Sequence, residues 1–190
     1  MLKLHVNNEY ARLKAVLFGT AQSNGPVPSA EGCYDPNSLS HILAGTYPTE
    51  ADMQQEMSAV LAVFQKYEVE VFRPNTIENC NQIFARDIAF VIDTKFIKSN
   101  ILPDRAEEYQ ALETLLEKIN PNDLIELPED CHVEGGDVIL SNDYIFIGVY
   151  SGLDYPNHIT ARTNLQAARA IQKLFPHKEV KTFELRKSNS

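Results

Sequence analysis

Short apolar runs, each stopped by a turn residue, alternate along this chain with longer stretches of helical period. Ala15-Val16-Leu17-Phe18 ends at Gly19, and Val69-Glu70-Val71-Phe72 ends before Pro74. Ile88 to Ile92, Lys95 to Lys98, Leu124 to Leu127, Val138 to Leu140, Tyr144 to Val149 and Val180 to Phe183 are of the same kind. Runs of this length bounded by turn signals predict buried strands. Between them, Met53, Met57, Val60, Leu61 and Phe64 recur at the spacing of one helix face, behind a capping pair Thr49 and Asp52. Tyr109, Leu112, Leu115, Leu116 and Ile119 form a second stripe behind Asp104 and Glu107, and Leu165, Ala168, Ile171 and Leu174 a third.

The order is strand, strand, helix, strand, and it recurs. Asp87 stands before one apolar run and Asp137 before another, 137 − 87 = 50 residues on. The pattern predicts an α/β chain of three repeat units, at about 10–76, 81–128 and 131–185, within one domain spanning 1–190. A period in this range points to a propeller or array, in which each copy covers one sheet face with its own helix and neighbours bury the rest. The first unit fits loosely. From Thr20 to Pro48 no period is visible, and four prolines and three glycines predict a long loop where its return strand belongs.

Composition narrows the function. The 190 residues are 44% hydrophobic and 23% charged, enough for a real core. The formal net charge of −9 argues against a nucleic-acid partner, which needs a basic face. Three widely spaced cysteines, Cys33, Cys80 and Cys131, form neither a disulfide framework nor a zinc pattern. With no signal segment and no long apolar run, the expected setting is cytoplasmic, without membrane contact.

The candidate chemistry sits at the two repeated acids. Cys131-His132-Val133-Glu134-Gly135-Gly136-Asp137 places two carboxylates around a glycine pair that permits close backbone approach. A glycine turn with solvated acids fits the same local sequence. Arg86 and Asp87 are neighbours and point apart in extended chain, so they are not expected to pair. If the repeats share an axis, Asp87 and the Glu134/Asp137 pair converge there and need a cation. A metal set of His132, Glu134 and Asp137 is mixed and lacks a second histidine, which argues against a metal centre. A guanidinium suits paired carboxylates better, through bidentate charge-assisted hydrogen bonds. Arg105 and Arg162 are either solvated helix-start residues or cations for a substrate carboxylate.

Three tetrads in order, Phe84-Ala85-Arg86-Asp87, Glu134-Gly135-Gly136-Asp137 and Ala161-Arg162-Thr163-Asn164, resemble those of the guanidino-group modifying enzymes. These are the arginine deiminases, amidinotransferases and dimethylarginine dimethylaminohydrolases, and the resemblance runs from about Leu13 to the end. It implies a pentein-type α/β propeller of which about three of five blades are present. It implies that Asp87 and Glu134 bind the guanidinium, that Phe84 packs on its plane, and that Arg105 and Arg162 hold the substrate carboxylate. Gly135, Gly136 and Asp137 would be structural at the site.

The resemblance further implies a covalent amidino-cysteine intermediate, resolved by water in a deiminase or by an amine in an amidinotransferase. The histidine and cysteine for this would lie in a C-terminal part beyond Ser190, with no nucleophile, metal or cofactor in this chain. The chain alone is then expected to be inactive. Its expected partners are an arginine-like small molecule and either the C-terminal remainder or another copy. The alternative is a non-catalytic guanidine-binding or regulatory domain closed by oligomerisation.

Overall fold

The apolar runs form strands of three to six residues that pair within each repeat, in a computed structural model describing residues 1–31, 33, 36–101, 103–152 and 163–185. In the first repeat β1 (Ala15–Leu17) pairs in parallel with β2 (Glu70–Phe72). Between them lie α1 (Pro36–Leu43) and α2 (Glu50–Lys66). The short helix α1 corrects the expectation of a structureless Thr20–Pro48 loop; eight residues are too few for a helical period to stand out from their prolines and glycines. Helix α2 starts where the pattern placed it. Thr49 accepts from the Asp52 N–H, and the Asp52 carboxylate accepts from the Thr49 N–H, a full capping box.

The second and third repeats share one topology. The one-turn helix α3 (Ala85–Ile88) leads into β3 (Ala89–Ile92), which pairs antiparallel with β4 (Lys95–Lys98); β4 pairs in parallel with β5 (Leu124–Glu126). Between β4 and β5 the expected helix is mostly 3₁₀ (Pro103–Leu112), with α-helical geometry in α4 (Glu113–Leu116) alone. Its stripe is nonetheless apolar and inward: Leu112, Leu115 and Ile119 are buried. In the third repeat a 3₁₀ turn (Gly135–Asp137) leads into β6 (Val138–Ser141). Antiparallel β7 (Tyr144–Val149), α5 (Leu165–Leu174) and parallel β8 (Glu179–Glu184) follow. Both hairpins turn on a residue of positive φ, Asp93 at 51° and Asn142 at 49°, residue types that tolerate the left-handed region.

The helix layers of the second and third repeats are each shared between two sheets. Leu112, Leu115 and Ile119 pack on Ala89 and Phe96 of their own repeat, with Leu17 and Phe72 of the first. Ala167, Ala168 and Ile171 of α5 pack on Ile145 and Ile147 of their own sheet, with Phe90, Ile92 and Ile97 of the second. The repeats thus stack as alternating sheets and helices. Among the described residues no helix is long and apolar enough to cross a membrane.

The N-terminal segment straps the second and third repeats together, a role its sequence did not announce. The Leu2 N–H donates to the Lys118 carbonyl at 2.6 Å, Val6 and Asp93 exchange backbone bonds, and the Glu9 N–H donates to the Leu140 carbonyl at 3.2 Å. Arg86 completes the strap. Its Nη1 and Nη2 donate to the two Glu9 carboxylate oxygens at 3.2 and 2.9 Å, while Nε donates to the Gly135 carbonyl at 3.1 Å and Nη2 to Val138 at 2.6 Å. Arg86 therefore pairs across the repeats, and not with its neighbour Asp87.

Burial alone would raise the Glu9 carboxyl, but the Arg86 hydrogen bonds and charge, with the Leu140 N–H, hold it below the usual range. A depressed folded value stabilises above the unfolded value of about 4.3, and that stability is lost as pH falls through the folded value. Wild type should therefore be more stable than Glu9→Gln at pH 7, with the difference shrinking on acidification below about pH 4. Urea unfolding of both proteins across this range checks it; a difference that does not change with pH would contradict the ion-pair account.

Candidate functional site

Two turns meet where the second repeat touches the third. One is α3, carrying Asp87; the other is the Gly135–Asp137 turn that follows Glu134. A Cβ on Gly135 would stand 2.1 Å from the Arg86 carbonyl oxygen, and one on Gly136 would stand 2.5 Å from Asp87 Oδ1. Real Cβ contacts are essentially never that short, so glycine is required at 135, where the neighbour is backbone, while at 136 any side chain would displace the Asp87 carboxylate. This contact brings the Asp87 carboxylate beside the turn that Glu134 opens. The repeated acids Asp87 and Asp137 both precede strands, as the repeat predicted, but each sits in a helical turn and not in a strand.

Glu134 is 4% exposed, its backbone extended. The chain leading to it is held from both sides. Asn100 Nδ2 donates to the Cys131 carbonyl at 2.9 Å, the Val133 N–H donates to the Asn100 carbonyl, and the Asn164 N–H donates to the His132 carbonyl. Thr163 then links the two ends of the glycine turn. Its Oγ1 accepts from the Glu134 N–H at 3.3 Å and donates to Asp137 Oδ2 at 2.6 Å. Asp137 thereby braces the turn through a neighbouring hydroxyl. Asn164 caps α5 by accepting from the Ala167 N–H, which fixes Thr163 in place.

Asp87 is engaged by a guanidinium belonging to the chain. Arg105 Nη1 donates to Asp87 Oδ2 at 2.8 Å. Its Nε and Nη2 donate to the two oxygens of Glu108 at 2.6 and 2.9 Å, a fork-to-fork pair. The Arg105, Asp87 and Glu108 side chains are 14%, 20% and 5% exposed. Burial works against the Arg105 charge, yet the bonds to Glu108 and Asp87 outweigh it and push its pKa further up. Arg105 is a permanent cation here.

Phe84, the residue before α3, is 59% exposed, a large apolar ring left at the surface, and its carbonyl accepts from the Asp87 N–H. Arg162 lies outside the described residues. Sequence reasoning missed Glu108 and Thr163. Glu108 had a signal, since it follows Arg105 by three residues in a helical turn. Thr163 had only its place in the third tetrad, and Glu9 had none. Among the described residues no group of three or more His, Cys, Asp or Glu side chains is placed to hold a metal ion. Cys131 is buried, and burial, with Asp130 beside it, pushes its thiol up; burial, Glu108 and Glu107 do the same to Cys80. Both directions oppose a thiolate.

No protein-family model matches the sequence, and no curated protein matches it. Solved structures do match the fold. The dimethylarginine dimethylaminohydrolase of Pseudomonas aeruginosa, complexed with citrulline, superposes with a TM-score of 0.63 at 18% identity, covering 93% of this chain and 62% of that one. The inosamine-phosphate amidinotransferase of Streptomyces griseus gives 0.68 at 16%, covering 100% and 64%. An amidinotransferase of the saxitoxin pathway of Microseira wollei gives 0.69 at 15%, covering 95% and 62%. The chain has the fold of these enzymes over less than two thirds of their length.

The two glycines make different demands, and their alanine variants should separate stability from site geometry. Gly135→Ala meets a backbone carbonyl that cannot rotate away and should cost about 1–3 kcal/mol in urea unfolding. Gly136→Ala meets a side-chain end, so Asp87 can swing aside, at a smaller cost in stability but with its bond to Arg105 disturbed. Equal losses of stability in the two variants would contradict this assignment.

Proposed function

We propose that this chain is the substrate-binding portion of an enzyme that modifies the guanidinium group of arginine or a related compound, a deiminase or an amidinotransferase. The observation that supports it best is the close contact of the Asp87 turn, in the second repeat, with the Gly135–Gly136 turn that follows Glu134 in the third. The fold is that of enzymes acting on such compounds.

In this reading Asp87 and Glu134 receive the substrate guanidinium, and Phe84 lies against its plane. Arg105 already shows that Asp87 accepts a guanidinium N–H. When substrate binds, the Nη1–Asp87 bond is the exchangeable one. Glu108 keeps Arg105 by Nε and Nη2, leaving Nη1 for the substrate carboxylate. Arg162 is proposed as a second carboxylate ligand, and Asp137 as a brace of the turn through Thr163.

The covalent step needs a thiolate and a proton carrier. A cysteine thiolate adds to the guanidinium carbon, and a protonated histidine supplies the proton with which ammonia or an amine departs. The resulting amidino-cysteine then gives its carbon to water or to an acceptor amine, releasing the thiolate. Cys80 and Cys131 are poorly suited to be that nucleophile, being pushed up. We place the histidine and the cysteine in a further, C-terminal part of the protein, and the hydrolase-or-transferase choice with them.

Calorimetric titration of this chain with L-arginine, agmatine and citrulline tests the reading. Arginine should bind, agmatine more weakly for want of a carboxylate, and neutral citrulline more weakly still at the two acids. Asp87→Ala and Glu134→Ala should each weaken arginine binding by about 10- to 100-fold, the worth of a charge-assisted bond. Residues 1–190 alone should produce no citrulline from arginine. Absence of arginine binding, or undiminished binding in both variants, would sink the proposal.

A further inference from the structure

The Asp87 carboxylate is wedged between a glycine turn and a guanidinium. Its Oδ1 lies against Gly136, where an added methyl group would stand 2.5 Å away. Its Oδ2 accepts from Arg105 Nη1 at 2.8 Å. The Asp87 side chain is 20% exposed and that of Arg105 14%, so water does little to loosen the pair. A guanidinium that binds a carboxylate through two N–H groups uses both oxygens. One arriving at Asp87 therefore has to take the place of Nη1.

Arg105 does not clear the acid by losing its charge, because its bonds to Glu108 and Asp87 outweigh burial and push its pKa up. Nor does it leave readily, since Nε and Nη2 are held by the two oxygens of Glu108. What remains is a small displacement of Nη1 from one acceptor to another. Either half of that exchange is unfavourable alone. A guanidinium without a carboxylate leaves Nη1 largely buried and deprived of its acceptor. A carboxylate without a guanidinium takes Nη1 and leaves Asp87 deprived of its cation. Breaking one side of a buried pair is the strongly destabilising case. A ligand that carries both groups replaces one charge-assisted pair with two and strands neither partner.

We infer that Arg105 is an internal competitor that keeps Asp87 closed to a guanidinium until a carboxylate draws Nη1 away, so that the two ends of the ligand are coupled through this one side chain. The inference rests on the guanidine reading of the site and adds a selection rule to it. The site takes compounds that carry a guanidinium and a carboxylate together, and discriminates against guanidines that lack the acid by more than the loss of one contact. The contact is autoinhibitory: a guanidinium alone binds only the fraction of molecules in which Asp87 is open. Because the coupling is a free energy between two sites, it is reciprocal, and each group raises affinity for the other by the same factor.

Calorimetric titration of the 190-residue chain with methylguanidine, first in chloride and then with acetate replacing chloride at the same ionic strength, reads the coupling. Methylguanidine has no carboxylate and should bind weakly in chloride. Saturating acetate should tighten it by about 10-fold, and methylguanidine should tighten acetate by the same factor. Asp87→Asn keeps the shape of the side chain and removes its charge, so circular dichroism should be unchanged. This variant should bind acetate more tightly than wild type and methylguanidine more weakly, and the coupling between them should vanish. Attraction between two bound ions would persist in the variant, and a damaged fold would weaken both ligands. Should the variant not fold, the wild-type coupling decides. Arginine binding with no effect of acetate on methylguanidine overturns the inference and leaves the proposed function standing. Coupling that survives in Asp87→Asn, or acetate bound no more tightly there, also overturns it. Absence of arginine binding removes the reading on which it rests.

Discussion

The constraint that fixes the junction of the second and third repeats is the contact of the Gly135 backbone with the Arg86 carbonyl. At 2.1 Å from where a Cβ would be, that oxygen excludes every side chain at position 135. The contact sets the distance between the second and third repeats, and the rest is arranged around it. Arg86 fastens it by donating from its guanidinium to Gly135 and Val138 and reaching out to Glu9. Thr163 and Asp137 hold the far side of the glycine turn, and Asn100 holds the chain that leads into it. A backbone-to-backbone approach of this kind transmits position without the slack of rotatable side chains, which suits a site assembled from two repeats.

The charges at this junction are divided by function. Arg86 is spent on structure, with its whole fork engaged by carbonyls and Glu9. Arg105 is held on one edge by Glu108 and lies with its remaining amino group on Asp87. A buried carboxylate without a cation costs several kcal/mol, so the Arg105 contact stabilises Asp87 in the absence of any ligand. In the proposed function, a substrate guanidinium would compete with Arg105 for Asp87, a carboxylate that already accepts one, and Glu108 would hold Arg105 in place.

Much of the architecture was legible in the residues. The strand runs, the capping box at Thr49 and Asp52, the stripe of α5 and the 50-residue offset between Asp87 and Asp137 all follow from local pattern, because burial and hydrogen bonding act on it directly. What was misread was also local. The segment before α4 carries an α-helical stripe but folds as 3₁₀, and its two stripe residues, Tyr109 and Leu112, three positions apart, share a face at either pitch. Val60 belonged to the apolar face of α2 by spacing, yet it is 41% exposed, because the sheet beneath covers only one side of that stripe.

By itself the sequence determined the α/β repeat, its period, and the glycine and acid tetrads that mark the junction, because these depend on residue type and spacing within one unit. Which atoms meet across units was decided by the tertiary structure alone. Nothing in the chain's order pairs Glu9 with Arg86, or seats Arg105 on Asp87 and not in solvent. Those contacts join residues 77 and 18 positions apart, and they form only once stacked sheets and helices bring the two turns together. Long-range electrostatic partners leave no local signature, since any carboxylate of the right reach would do. It is the packing that selects one.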